Sequence, residues 1–298
     1  MFFKKKCTVV THDGSFHADD VFAVATVSLL HRGAISVRRS RNKEDWKKAD
    51  VLVDVGGEYN PEQGRFDHHQ EGAPAPRPNG SPYAAFGLVW KHYGEALCGS
   101  PVVARRIEEK LVESIDIIDN GAYDAPPFSN GVYPYTIQDC IGTFSATWKE
   151  TDSRSDEGFM KAVTFAEHIL MREIIKNKDS LEALDEVRRV YTSSPDKRVI
   201  VFDRYLPWKE ALIDFPEPLY VVMPREDMVT WGVHAVARER KTFELRKPFP
   251  LAWAGKTGND FVSVSGVAGA LFCHTKRFIA VASSKEGAVL LTKKSIGA

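Results

Sequence analysis

The chain opens on short apolar β-branched blocks that alternate with apolar residues at helical spacing. CTVVTHDG is a buried-strand pattern running into a polar loop. From Ala18 to about His31, the residues Val21, Phe22, Ala25, Leu29 and Leu30 recur at helical spacing, and Gly33 stops the run. ISVRRS predicts a strand, EDWKK a short exposed helix, and DVLVDVGG another buried strand. Strand, helix, strand, helix, strand is the rhythm of a parallel α/β sheet.

Beyond it, Gly72 to Pro82 (GAPAPRPNGSP) predicts an irregular loop with room to move, and Ser81 is placed to cap the next helix, YAAFGLVWKHYGEAL. A further helix, VVARRIEEKLVESIDIID, ends at Asn120-Gly121. Residues from about Glu157 to Tyr191 are helix-rich until TSSPDKR breaks the pattern. RVIVF, PLYVVMP, WGVHAVAR and GALFCHTKRFIAVAS then read as strands, with EGAVLLTKKS as a closing helix. The expected fold class is α/β: a parallel-sheet N-terminal domain with a helical connector (1–195) and a smaller α+β C-terminal domain (196–298).

Composition narrows the function little. Basic and acidic residues balance at 40 each, although 16 basic and 10 acidic residues fall from Lys197 onward. That asymmetry suits an acidic metal-binding body beside an anion-holding companion, and random surface variation accounts for it equally well. Cys7, Cys98, Cys140 and Cys273 lie far apart, which argues against a structural zinc site or a disulfide framework and fits a reducing compartment. The start, MFFKKKCTVV, lacks an apolar core of signal-peptide length, and no apolar run nears the roughly 20 residues of a membrane helix. The expectation is a cytoplasmic protein with no membrane partner.

Four segments concentrate metal-ligand side chains: His12-Asp13-Gly14-Ser15-Phe16-His17-Ala18-Asp19-Asp20, Asp54 closing an apolar strand, Asp67-His68-His69, and Asp119 with Asp116 one turn before it. Singly, each has an ordinary alternative, since Asp is a common turn residue and a histidine near a loop is usually solvated. Jointly they fall on one predicted edge of one sheet, where open α/β sheets place their sites. Carboxylates and imidazoles without thiolates suit Mn²⁺ or Mg²⁺, and the share of imidazole favours Mn²⁺. Six or more candidate ligands suit two ions about 3.5–4 Å apart that share a carboxylate, generate a hydroxide and stabilise in-line displacement at phosphorus.

At these residues the chain resembles the DHH phosphoesterase superfamily, and more closely the Myg exonuclease family, over most of its length. THDGSFHADDVFA resembles that family's opening motif, VLVDVGGEYNPEQGRFDHHQ its most specific signature, and VESIDIIDNG its fourth motif; PWKEAL and GALFCHTKRFIAVASSKEGA echo its C-terminal domain. The resemblance implies that His12, His17, Asp19, Asp54, His68 and Asp119 ligate two divalent ions, with Asp54 bridging. It implies that His69 faces the substrate phosphate and that Asp67 orients the neighbouring histidine; Asp20 joins them as a catalytic candidate. Ala282-Ser283-Ser284-Lys285 departs from the more basic run expected there, which leaves Lys285, Lys276 and Arg277, with Arg38, as candidates to hold substrate phosphate.

The implied activity is metal-dependent phosphodiester hydrolysis, 3′–5′ on single-stranded RNA or a short oligonucleotide. Arg238, Arg240, Lys241, Phe243 and Arg246 either track a nucleic-acid backbone or form a solvated strand face. Hydrolysis of small phosphate substrates such as pyrophosphate is the alternative within the class, and a nucleic-acid-binding protein with a vestigial site the alternative outside it. Amide hydrolysis has no HExxH helix behind it. The sequence sets no oligomeric state and admits a dimer.

Overall fold

The computed structural model describes residues 6–72, 74–121, 127–150, 153–240 and 242–298. Among them the chain divides into two compact units, the first ending at Lys178 and the second spanning Asp179–Ala298.

The first unit holds β1 (Cys7–Thr11), α1 (Ala18–Leu30), β2 (Ile35–Arg39), α2 (Lys43–Trp46), β3 (Val51–Val53), β4 (Tyr59–Asn60), β5 (Arg65–Phe66), α3 (Ala85–Cys98), α4 (Pro101–Ile107), α5 (Glu113–Asp119), α6 (Ile137–Gly142) and the start of α7 (Ser153–Ser193). Its sheet runs β2-β1-β3-β5-β4. β1 is parallel to β2 and β3, β3 is parallel to β5, and only β4 runs against its neighbour. The apolar VLV of β3 is buried throughout, as a strand covered on both faces requires. Gly64 lets β5 approach, because a Cβ there would lie 2.5 Å from the Asp50 carbonyl oxygen. On α1, Ala18 through Ser28 are buried without interruption while Leu29 and Leu30 are only half-buried. The expected apolar stripe is thus a fully enclosed helix start, packed on α3 with Phe22 and Phe86 rings 5.3 Å apart.

Two local expectations are corrected. Ala84, not Ser81, stands at the N-terminus of α3, and the Ser81 hydroxyl instead donates to Asn79 and Glu113. The Pro-rich loop is anchored by Arg77, which is buried, stacks 3.9 Å over the Tyr83 ring and donates to the Pro82 carbonyl at 2.7 Å. Between α4 and α5 the helix widens into a π-turn at Glu108–Val112, a feature that re-registers the helix face and is frequent at functional sites.

The second unit takes the end of α7 and continues through β6 (Val199–Val201), α8 (Lys209–Leu212), β7 (Tyr220–Pro224), β8 (Trp231–Ala235), α9 (Gly258–Ser265), β9 (Ala270–Cys273), β10 (Ile279–Ala282) and α10 (Lys285–Gly297). Its sheet, β6-β7-β8-β10-β9, is antiparallel except for the β6–β7 pair. The division falls inside α7 rather than at 195/196, because Ala183 and Val187 pack with Ile200, Phe202 and Leu212 of this unit. Among the described residues, no helix is long and apolar enough to cross a membrane.

Candidate metal centre

Three adjacent parallel strands of the first unit stop at one level, and the next residue on each carries a ligand-type side chain: His12 after β1, Asp54 after β3, Asp67 after β5. Val10 pairs with Leu52 and Val53 with Phe66, so continuing the ladders sets His12 beside Asp54 and Asp54 beside Asp67. The chain leaves β1 for β2 and returns across it to β3, which makes this edge the crevice where open sheets hold ligands. The first turn of α1 adds Asp19 and Asp20, with His17 just before it, and the last residue of α5 adds Asp119. Asp54 sits at φ 55°, a left-handed conformation that a non-glycine residue holds only where its surroundings enforce it.

The side chains converge. His12 Nε2 lies 3.1 Å from Asp20 Oδ2 and 3.3 Å from Asp54 Oδ2. Its Nδ1 is 2.9 Å from the Asp13 carbonyl, which only accepts, so Nδ1 carries a proton and Nε2 faces the acids. His68 Nε2 is 3.3 Å from both Asp54 Oδ1 and Asp119 Oδ2, and His17 Nδ1 is 3.8 Å from Asp119 Oδ1. Asp67 accepts from His69 Nδ1 at 2.9 Å and from the Gly57 N–H at 2.6 Å, which fixes both the ring and the loop. Asp20 Oδ1 accepts from the His17 N–H at 3.0 Å, so this acid ties the helix start to His12. Asp116 does not join the centre: it pairs with Arg77 in the interior.

The electrostatics are those of a site short of positive charge. Asp19 is fully buried; burial and the neighbouring Asp54, Asp119 and Asp20 push its pKa well above the usual carboxylate range. Burial opposes protonation of His12 and His68, yet the carboxylates beside them overcome it and push each up to about 10. Asp54 is held well below its ordinary value, against burial, by His12, His68 and His69. The imidazoles are thus the cations this acid cluster draws on. Both carboxylate oxygens of Asp19 are buried without a hydrogen-bond partner, and the buried Asp20 Oδ2 and Asp54 Oδ1 meet only imidazole nitrogens. A buried carboxylate that no donor meets is costly unless a cation receives it, so the donor set fits oxygen- and imidazole-binding divalent ions. Among the described residues, two trios offer ligand atoms within 4.8 Å of one another: Asp54, His68 and His69, and His17, Asp19 and Asp119.

A cavity of about 810 Å³ opens on this cluster; His12, His17, Asp54, Asp67, His69 and Asp119 line it, together with Arg41 and Trp46. The last two have no counterpart among the sequence candidates. Arg38 is not part of the lining and pairs with Asp45 at 3.0 Å. Arg39, also unanticipated, has its side chain buried against the Phe16 and Phe159 rings and donates to the Gly14 carbonyl and to Ser155. In the second unit, Lys285 opens α10 and pairs with Asp203 at 2.5 Å, while Arg277 donates to the Phe249 carbonyl at 3.1 Å and Lys276 lies beside it in the β9–β10 turn. Of the basic stripe, Arg240 pairs with Asp214 and Arg246 donates to the carbonyls of Ile213, Phe215 and Pro218, whereas Phe243 is exposed and Lys241 lies outside the described residues.

The MYG1 exonuclease family profile, described as an uncharacterised protein family, matches residues 8–296. The chain is similar to the MYG1 protein of Dictyostelium discoideum, at 28% identity over 97% of this chain and 96% of that one. It is also similar to the MYG1 exonuclease of Rattus norvegicus, at 28% identity over 96% of this chain and 84% of that one. Among solved structures it has a slight likeness to a Vibrio pGpG-specific phosphodiesterase, with a TM-score of 0.30 and 13% identity over 99% of this chain and 100% of that one.

Proposed function

The chain belongs to the MYG1 exonuclease family, and from that premise we propose that it is a divalent-metal-dependent phosphodiesterase that shortens single-stranded RNA from the 3′ end. The observation that carries this reading is the pair of buried, partnerless oxygens on Asp19 among five carboxylates and four imidazoles gathered at one end of the sheet.

In this reading His12, His17, Asp19, Asp54, His68 and Asp119 would hold two divalent ions. The imidazole share favours Mn²⁺, with Mg²⁺ as the alternative. When bound, such ions supply Lewis acidity to a phosphoryl oxygen and bring the pKa of water toward neutrality. The chain's own residues do the rest. Asp20 and Asp67 fix the His12 and His69 rings. Asp54, against burial and with help from Asp67, raises the pKa of His69. That ring, exposed to the cavity with Nδ1 already turned to Asp67, presents Nε2 to the place where charge develops on the phosphoryl oxygens. Lys276, Arg277 and Lys285 are the proposed phosphate-holding residues of the second unit.

The test is a time course of purified protein on 5′-labelled single-stranded RNA with Mn²⁺, with Mg²⁺ and with chelator, beside an Asp54→Ala control. A metal-dependent ladder shortening from the 3′ end, absent in the control, is the expected result. Intact RNA in every lane overturns the exonuclease reading and directs attention to pyrophosphate and very short oligonucleotides.

A further inference from the structure

One wall of the cavity is not required by phosphate-ester hydrolysis as such: Arg41 and the indole of Trp46. Both lie in the segment joining β2 to β3, and that segment is stiff. The Ser40 hydroxyl donates to Asp45 at 2.7 Å, the Asn42 N–H donates to the Ser40 hydroxyl at 3.1 Å, and Asn42 accepts from the Glu44 N–H at 2.9 Å. Asp45 is itself buried and tied to Arg38.

Trp46 packs against the cluster of Val10, Ala49, Leu52 and Val55, and is half-buried where it lines the cavity. Its single donor, Nε1, is spent on the Ser40 carbonyl at 3.0 Å. The ring therefore offers the cavity no hydrogen bond, only aromatic surface held in one orientation. Arg41 stands on the same wall with its side chain 65% exposed, 3.2 Å from Asp13. An exposed pair of this kind contributes little, so its guanidinium is free to exchange Asp13 for a phosphate.

The geometry points to a nucleotide platform in which Trp46 stacks a nucleobase of the substrate strand while Arg41 takes a backbone phosphate. Inorganic pyrophosphate and polyphosphate have no use for a preset indole, whereas a nucleotide gains from stacking on a surface already ordered. The platform rests on the phosphodiesterase reading of the adjoining centre, and it narrows that reading to substrates that carry bases. Losing one stacked base lowers nucleic-acid affinity roughly 5- to 100-fold.

The experiment compares an adenylyl dinucleotide with the same dinucleotide lacking both bases, using wild type, Trp46→Leu, Trp46→Phe and Arg41→Gln with Mn²⁺. Thermal melts check that each variant is folded, since Trp46 also packs on the core. The wild-type preference for the base-bearing substrate, read as the ratio of kcat/KM values, should fall about tenfold or more in Trp46→Leu through KM, and Trp46→Phe should recover most of it. Arg41→Gln should raise KM for both substrates alike. A Trp46→Leu protein that keeps the wild-type ratio overturns the platform while leaving the phosphodiesterase reading intact. If wild type cleaves neither dinucleotide, the RNA time course still decides the phosphodiesterase reading, and calorimetric binding of the two dinucleotides decides the platform: equal affinity of wild type and Trp46→Leu for the base-bearing one overturns it.

Discussion

Arg77 and Asp116 form an ion pair inside the first unit, 2.6 Å from Nη2 to Oδ2, one helical turn before the centre's Asp119. The Gly87 N–H donates to the other carboxylate oxygen at 2.9 Å, and Glu108 meets Arg77 Nε at 3.0 Å. A Cβ on Gly87 would fall 1.8 Å from Asp116 Oδ2, so the close approach depends on glycine. The pair staples the Pro-rich loop and α3 to the helix that presents Asp119.

Removing Arg77 strands a carboxylate in the interior. Arg77→Ala should destabilise the protein by about 3–5 kcal/mol in urea titration, whereas Arg77→Met combined with Asp116→Leu should regain most of that. A loss under about 1 kcal/mol for Arg77→Ala would mean the pair does not hold the helix.

Asp19 is the acid least tolerated by the metal-free fold, since it is buried among three other carboxylates with no donor. Asp19→Asn should therefore raise the stability of metal-free protein by about 1–3 kcal/mol and abolish the further gain on adding Mn²⁺. Calorimetric melts with and without the ion read both effects, and a metal-free melt lower than wild type would contradict the account.

His12 and His68 hold protons up to about 10 in the metal-free centre, above their ordinary 6.5. A raised pKa contributes stability that is present below pH 6.5 and lost as pH climbs toward 10. Metal-free protein should accordingly melt at lower temperature as pH rises from 7 to 9.5, while Mn²⁺ affinity rises over the same range because ligands must shed their protons. Titration in two buffers of different ionisation enthalpy should show about one or two protons released per protein; uptake, or none, would refute this.

Arg39 holds the loop between His12 and His17 by its Gly14 carbonyl contact and by packing against two aromatic rings. A lysine keeps the charge but not the planar fork. Arg39→Lys should weaken Mn²⁺ binding roughly tenfold with little change in far-UV circular dichroism, and an unchanged dissociation constant would show that the loop does not need it.

The centre is readable in the chain to the extent that strands announce it. VVT before His12 and VLV before Asp54 are buried runs that end in a polar side chain, so position and chemistry are visible together. β5 is only Arg65–Phe66 and exists because β3 and β4 pair with it; no periodicity in two residues could reveal it, although Asp67-His68-His69 stands out as a motif. Asp116 and Asp119 are the same residue type one turn apart, and only tertiary packing sends one to Arg77 and the other to His68. Arg41 and Trp46 carry no pattern, since their position depends on hydrogen bonds within a short connection. The long helix α7 reads as helical, but its allotment to two cores depends on which turns meet which partners.

The candidate ligands come from three strand ends and two helix ends scattered over more than a hundred positions of chain, from His12 to Asp119. Neither a lone hairpin nor a single helix presents enough of them to capture an ion, so capture must follow assembly of the sheet. An ion held there would be a latch on a finished frame rather than the seed around which the frame grows. A chain made without divalent cations should therefore still reach its native shape.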